Sequence, residues 1–412
     1  MSCLQFEVVP EQCLKNRQVE FHLGTPINHV LTMIQQNART LNHIQLKYSK
    51  NNVFGKDICV SLEDNGVKLI FDAYSQLLKL IEVDNLNQIV LSYCNNIFSE
   101  PGAEATMDKL EESFGSTHPG EYDEAQQMYV QSWRGLSFCF PTKNNSHVEV
   151  APGFGSLRSL KYSPQSQPKL TKMSIFKGTA GVIKSDPLEV PQVCYCGQNR
   201  LVMAESVHAA DDSITGMELT FITEDKPKSV SRSASNEYEL VTLKRVVSFG
   251  DSVTMVLAAL GAPSKIFYKS EDKMSIHNSD GKETLNPQPH FFFNYFSMGF
   301  DILFDFKTKR VIKFVLHTNI PGHYHFGIYA RCQFKVKCLS PDGSESSVLT
   351  TSSKYDEFSH LLAGQQPVVI SRHSSEDKNP FGPTFACGTR QIIVEVMDNS
   401  YIAGVTVFGP AN

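Results

Sequence analysis

Residues 66–83, GVKLIFDAYSQLLKLIEV, lie ungapped against residues 299–316, GFDILFDFKTKRVIKFVL. Each stretch opens on a glycine, runs through an alternating strand that closes on Phe-Asp, crosses a short polar turn and returns as a second strand. Alternation buries one face of such a hairpin, so it needs a neighbour to cover that face. A chain that carries the design twice is built by packing repeated sheet units together. The two aspartates, Asp72 and Asp305, stand where a turn-opening carboxylate accepts from backbone N–H groups just ahead of it.

A helix signal precedes each hairpin. LGTPINHVLTMIQQ (23–36) places Pro26 near a first turn with Ile27, Val30, Leu31 and Ile34 on one face. FGDSVTMVLAALGAPSKIFY (249–268) offers Asp251 or Ser252 as a cap and Gly261 as a stop. Two weaker versions follow the same order. A helix ending at Gly115 leads into WRGLSFCF (133–140), and a helix ending near Gly364 leads into a hairpin that turns at Asp398-Asn399-Ser400. The expectation is an α+β protein of repeated helix-then-antiparallel-β-meander units packed together, two within residues 1–145 and two within 246–412. Between them, 146–245 reads as a β segment with Ser-, Pro- and Lys-rich loops, its strands near 173–176, 201–209 and 217–223.

The stretch FFFNYFSMGFDILFDF (291–306) carries seven phenylalanines in sixteen positions. Up to Phe296 both alternating faces are apolar or aromatic, the pattern of a strand covered on both sides. From Phe300 onward apolar residues alternate against Asp301 and Asp305, as in a half-buried strand. No run in the chain reaches the roughly 18 consecutive apolar residues of a spanning helix. The opening MSCLQFEVVPEQCLK lacks a basic region followed by an apolar core, so a cytoplasmic protein is expected. A net charge of −5 and a pI near 6.2 provide no basic field for nucleic acid.

Catalytic signatures are missing: there is no phosphate-binding loop of the GxxxxGK[ST] kind, no nucleophile elbow and no HExxH, and PGFGSL (152–157) has no third glycine. The ten cysteines are scattered and read as reduced and structural. Cys194 and Cys196 have no second ligand pair at zinc spacing, and His118 reads as a turn residue. His317, His323 and His325 in HTNIPGHYHF are the metal candidates, with packing or hydrogen bonding the plainer expectation. An aromatic-x-x-aliphatic pattern, by which extended peptides join a sheet of a ubiquitin-like autophagy modifier, occurs at Tyr238, Leu240 and Val241 and again at Trp133 and Leu136, where the strand reading is preferred. The serines at 229, 231, 233 and 235 read as a solvated linker.

KIFYKSEDKMSIH (265–277), HFFFNYFSMGFDILFD (290–305), KFVLHTNIPGHYHFGIYARCQF (313–334), SFGSTHPGEY (113–122) and NPFGPTFACG (379–388) closely resemble the eukaryotic phagosome assembly factor family, also called Mytho. The resemblance runs across nearly the whole chain and is weakest at 141–245. It implies a non-enzymatic autophagy adaptor without catalytic residues or cofactor. It also implies a complex with a WD40 β-propeller protein and recruitment to the phagophore, or pre-autophagosomal structure, with the propeller contacting phosphoinositides. Two alternatives stand beside it. One is a metal-dependent hydrolase using the three histidines. The other is a protein that binds phosphoinositide directly, which requires a basic patch that only Lys307, Lys309 and Arg310 suggest, at a position where a solvated turn suffices.

Overall fold

The computed structural model describes residues 3–115, 120–123, 128–141, 168–178, 199–227, 238–269, 289–340, 343–362, 366–370 and 381–410. The chain divides into two compact units, one built largely from residues up to 195 and one from those after it.

The first unit begins with β1 (Leu4–Val9), β2 (Cys13–Lys15), β3 (Glu20–His22) and α1 (Ile27–Gln36). A meander follows, β4 (Ile44–Lys47), β5 (Ile58–Leu62), β6 (Val67–Phe71) and β7 (Leu78–Val83), and then β8 (Ile89–Tyr93), β9 (Asn96–Ser99) and α2 (Met107–Phe114). It closes with β10 (Glu121–Asp123), β11 (Met128–Trp133), β12 (Leu136–Pro141) and β13 (Lys172–Phe176). The second unit runs β14 (Arg200–His208), β15 (Ile214–Pro227), β16 (Tyr238–Ser248), α3 (Val253–Leu260), β17 (Lys265–Tyr268), β18 (Phe291–Tyr295), β19 (Phe300–Phe304) and β20 (Val311–His317). It continues through β21 (Phe334–Leu339), β22 (Ser346–Thr350), α4 (Tyr355–Phe358), β23 (Val368–Ile370), β24 (Thr384–Thr389), β25 (Ile392–Val396) and β26 (Ile402–Phe408).

Both units have one topology. The five-stranded sheets are ordered β3-β2-β1-β8-β9 and β16-β15-β14-β21-β22, and the eight-stranded sheets β4-β5-β6-β7-β13-β12-β11-β10 and β17-β18-β19-β20-β26-β25-β24-β23. Each strand of the first unit has its counterpart thirteen strands later, with the helices at the same two connections. The central pairs β1–β8 and β14–β21 are parallel. In the second unit, buried residues of both sheets form a single cluster, including Met217, Phe221 and Phe334 from one sheet and Phe293, Phe304, Phe314 and Val405 from the other.

The α+β expectation of repeated helix-then-meander units is therefore corrected. Strands make up 50% of the structure and helices 13%, and the α-helices among the described residues span four to ten residues. Helices this short connect sheets and do not form a layer, so the protein is mostly β. Nor do the meanders stand as separate blocks. An isolated meander leaves open edges of unpaired N–H and C=O groups, and here β7 pairs with β13 and β20 with β26. The five-stranded sheets unite segments far apart in sequence, which local periodicity does not reveal.

The repeated hairpins show why these residues form these elements. Asp72 Oδ2 accepts from the backbone N–H groups of Tyr74 and Ser75, at 3.2 and 2.7 Å, and Asp305 Oδ2 accepts from that of Thr308 at 2.7 Å. Each turn then passes through a left-handed residue, Gln76 or Lys309. The start of α1 or α3 clips onto the hairpin: Gly24 N–H donates to Leu78 O and Gly250 N–H to Val311 O, at 2.7 and 2.9 Å.

Candidate binding groove

The eight-stranded sheet of the second unit turns one face to the core and the other to a groove. Along β20, Phe314 and Leu316 are buried in the core, whereas Lys313, Val315 and His317 alternate onto the opposite face. Register carries that face across the sheet. One row reads Lys265, Asn294, Asp301, Val315, Thr406, Ile393, and a neighbouring row reads His317, Gly404, Glu395, Ala386. The chain between β20 and β21 folds over these rows and contributes His323, His325, Ile328 and Tyr329. The half-open cavity has a volume of about 500 Å³, within the range of small-ligand pockets.

Asp301 is the best-held group in it. The residue is 6% exposed. Its Oδ1 accepts from Asn294 Nδ2 at 2.8 Å, and its Oδ2 accepts from the Tyr329 hydroxyl at 2.9 Å and lies 2.9 Å from His317 Nε2. The Tyr329 ring stacks on His317 with centroids 3.8 Å apart. A carboxylate at this depth is tolerated because donors replace its water. Burial, and then the Asp301 charge, push the Tyr329 phenol above its ordinary pKa, so it stays protonated and donating. Across the groove, Glu395 Oε1 accepts from Thr384 Oγ1 at 2.6 Å and lies 3.3 Å from His323 Nε2. His323 Nδ1 accepts the backbone N–H of His325 at 3.3 Å, which leaves Nε2 as the donor to Glu395.

The structure thus brings His317, His323 and His325 to one groove, with His317 facing Asp301 and His323 facing Glu395. Among the described residues no group of three or more His, Cys, Asp or Glu side chains is placed to hold a metal ion. Burial pushes the Cys332 thiol up to about 12 and also raises Cys338 and Cys387, so these three thiols stay protonated.

Tyr238, Leu240 and Val241 lie in β16, the outer strand of the five-stranded sheet, away from the groove's sheet, and Val241 is exposed. In the other copy of that pattern, Leu136 is fully buried and Trp133 packs edge-on against Phe138 at 5.4 Å while its Nε1 donates to Gly115 O. Lys307, Lys309 and Arg310 form the β19–β20 turn. There Lys309 Nζ sits 3.5 Å above the Phe306 ring and Arg310 donates to Gly250 O at 2.6 Å. Cys194, Cys196, His118, the serines at 229–235 and PGFGSL lie outside the described residues. Asn294, Glu395 and Tyr329 escaped sequence reasoning. The first two carry a usable signal, a polar residue inside an apolar strand (FFFNY, IIVEV), while nothing local marks Tyr329.

All of the groove's residues lie within 17–408, the region that matches the sequence profile of phagosome assembly factor 1. The chain belongs to that family. A phagosome assembly factor 1 protein of Caenorhabditis elegans is 49% identical over 417 residues, covering 100% of this chain and 96% of the relative. One of Drosophila melanogaster is 37% identical over 425 residues, covering 99% and 95%. One of Arabidopsis thaliana is 31% identical over 398 residues, covering 94% and 90%. Among the described residues of this family member, no helix is long and apolar enough to cross a membrane.

Proposed function

We propose that this chain is a non-enzymatic adaptor of autophagy that pairs with a WD40 β-propeller protein and gathers with it on the forming phagophore, where the propeller contacts phosphoinositides. The observation that carries this reading is the match over 17–408 to a family described as a phagosome assembly factor. The groove's chemistry is compatible with it. The Asp301 and Glu395 carboxylates are held by neighbouring donors, as in a rigid recognition surface, where hot spots form around fixed aromatic and polar anchors. A sheet-edge contact between β16 and a ubiquitin-like autophagy modifier belongs to the same reading, since β16 pairs on one side only among the described residues.

The test is affinity purification of the tagged protein from gently lysed, starved cells, with every stoichiometric companion identified. A β-propeller recovered in comparable amount supports the adaptor. Folded protein that elutes alone, yet binds phosphoinositide vesicles unaided, replaces it with the direct-lipid reading.

A further inference from the structure

The two units provide an internal comparison. On the same face of the first unit's eight-stranded sheet, the lysines of β6 and β13 are neutralised: Lys68 pairs with Asp84 and Lys172 with Glu82. By register, the second unit places Asp301 where the first has Lys68, Val315 where it has Glu82 and Gly404 where it has Lys172. Long paired side chains are thereby exchanged for short or apolar ones, and the cavity occupies that face. The connection after β20 is also longer, residues 318–333 against 84–88, and the extra length forms the groove's roof.

The cations on this face are arranged differently as well. Lys265 and Lys269 alternate with Phe267 along the β17 side, and Lys313 lies on β20 next to Phe408, its Nζ 4.4 Å from the ring centroid. Among the described residues none of the three has a carboxylate partner. Burial lowers the Lys313 pKa, and the Lys269 charge lowers it further. A half-buried ammonium repelled by a second one is unfavourable until an anion arrives. Asp301 and Glu395 keep their charge further along the groove, each held by its own hydrogen-bond donors, so the positive end of this face is the one at Lys265, Lys269 and Lys313. Phe267 is 47% exposed at the same end.

We infer that this groove binds an extended acidic peptide of a partner protein, whose aromatic or aliphatic side chain fills the cavity beside Phe267 and Phe292 and whose Asp or Glu residues meet Lys265, Lys269 and Lys313. A peptide suits the walls better than an acyl chain. Lys265, Lys269 and Lys313 have no carboxylate partner among the described residues, and a peptide brings several carboxylates for them together with an apolar side chain for the cavity, whereas an acyl chain brings one carboxylate at most. Eight strands spaced about 4.8 Å apart span roughly 34 Å, the length of about ten extended residues. The inference rests on the adaptor reading and does not depend on the partner being a propeller.

Full-length protein is used to select from a displayed library of random peptides about ten residues long. Enrichment of sequences that join acidic residues to Phe, Trp or Leu is expected. Binding of a synthetic peptide of the enriched sequence should weaken about tenfold or more in Lys313→Glu and Lys265→Glu and fall with added salt. Ile393→Trp, a change at an exposed position on the groove face, should block binding with all three lysines intact, and Lys47→Glu on the first unit's edge strand should leave it unchanged. Circular dichroism verifies that each variant is folded. Enrichment of basic or charge-neutral sequences, no enrichment, or indifference to these changes overturns the inference. So does adsorption to phosphatidylserine-containing vesicles that the charge reversals abolish, in the absence of peptide enrichment. If a propeller still copurifies when peptide selection fails, this inference falls and the adaptor reading stands. If no propeller copurifies while peptides are enriched, the propeller assignment falls and the groove stands.

Discussion

Asp72 and Asp305 perform the same task in two different sequences. Each opens a β-turn by accepting from backbone N–H groups two or three residues ahead, replacing water that the turn would otherwise exclude. For Asp305, hydrogen bonds from the Thr308 N–H and hydroxyl hold the carboxyl below its ordinary pKa. A depressed folded-state pKa means a contribution that is complete above the unfolded value near 3.9 and is lost as pH falls through the folded one. Asp305→Asn is therefore expected to lower stability at about pH 6 by an amount on the order of 1 kcal/mol, read as a lower urea midpoint, and the gap should shrink towards about pH 3. Parallel urea titrations of both proteins at the two pH values check this. A gap that widens in acid would contradict the assignment.

At the scale of elements, the connections that carry α2 and α3 into the eight-stranded sheets differ in their capping chemistry. Ser252 caps α3, its Oγ accepting from Met255 N–H at 3.3 Å, while Thr106 at the start of α2 makes no side-chain capping bond. Ser252→Ala should cost about 1 kcal/mol and Thr106→Ala only a few tenths. Urea unfolding of the two variants tests the difference, and equal losses would remove the cap from the account. Much of this level was legible beforehand. Pro26, Ser252, Gly115 and Gly261 mark helix ends through backbone chemistry confined to one turn, and the alternation in β6–β7 and β19–β20 marks hairpins whose partners are nearest neighbours. The helices' subordinate role was not legible, because a short amphipathic stretch reads the same whether it forms a layer or bridges two sheets.

For the whole molecule, duplication of a thirteen-strand unit leaves each copy with its own buried core. Phe71 and Phe304 occupy equivalent positions at the ends of β6 and β19, and both are fully buried. Two cores free to melt separately need not follow a single two-state transition. Phe304→Ala, at about 3–5 kcal/mol, should move one calorimetric transition and leave the other, and Phe71→Ala should do the converse. A single transition shifted equally by both would mean that the units unfold as one.

The sequence by itself determined the hairpins, their aspartate-led turns and most helix ends, which rest on side chains within a few turns of one another, and the family, whose match runs over residues 17–408. Tertiary structure alone decided that meanders join edge to edge, that β1 finds β8 and β14 finds β21 in parallel, and that Asn294, Asp301, His317 and Tyr329 converge on one buried carboxylate. The physical reason lies in the range of the interactions. Capping and alternation act over a few residues and leave their mark on composition. Sheet order and buried polar networks instead depend on which distant edges satisfy each other's hydrogen bonds once loop closure has been overcome, and no local pattern records that outcome.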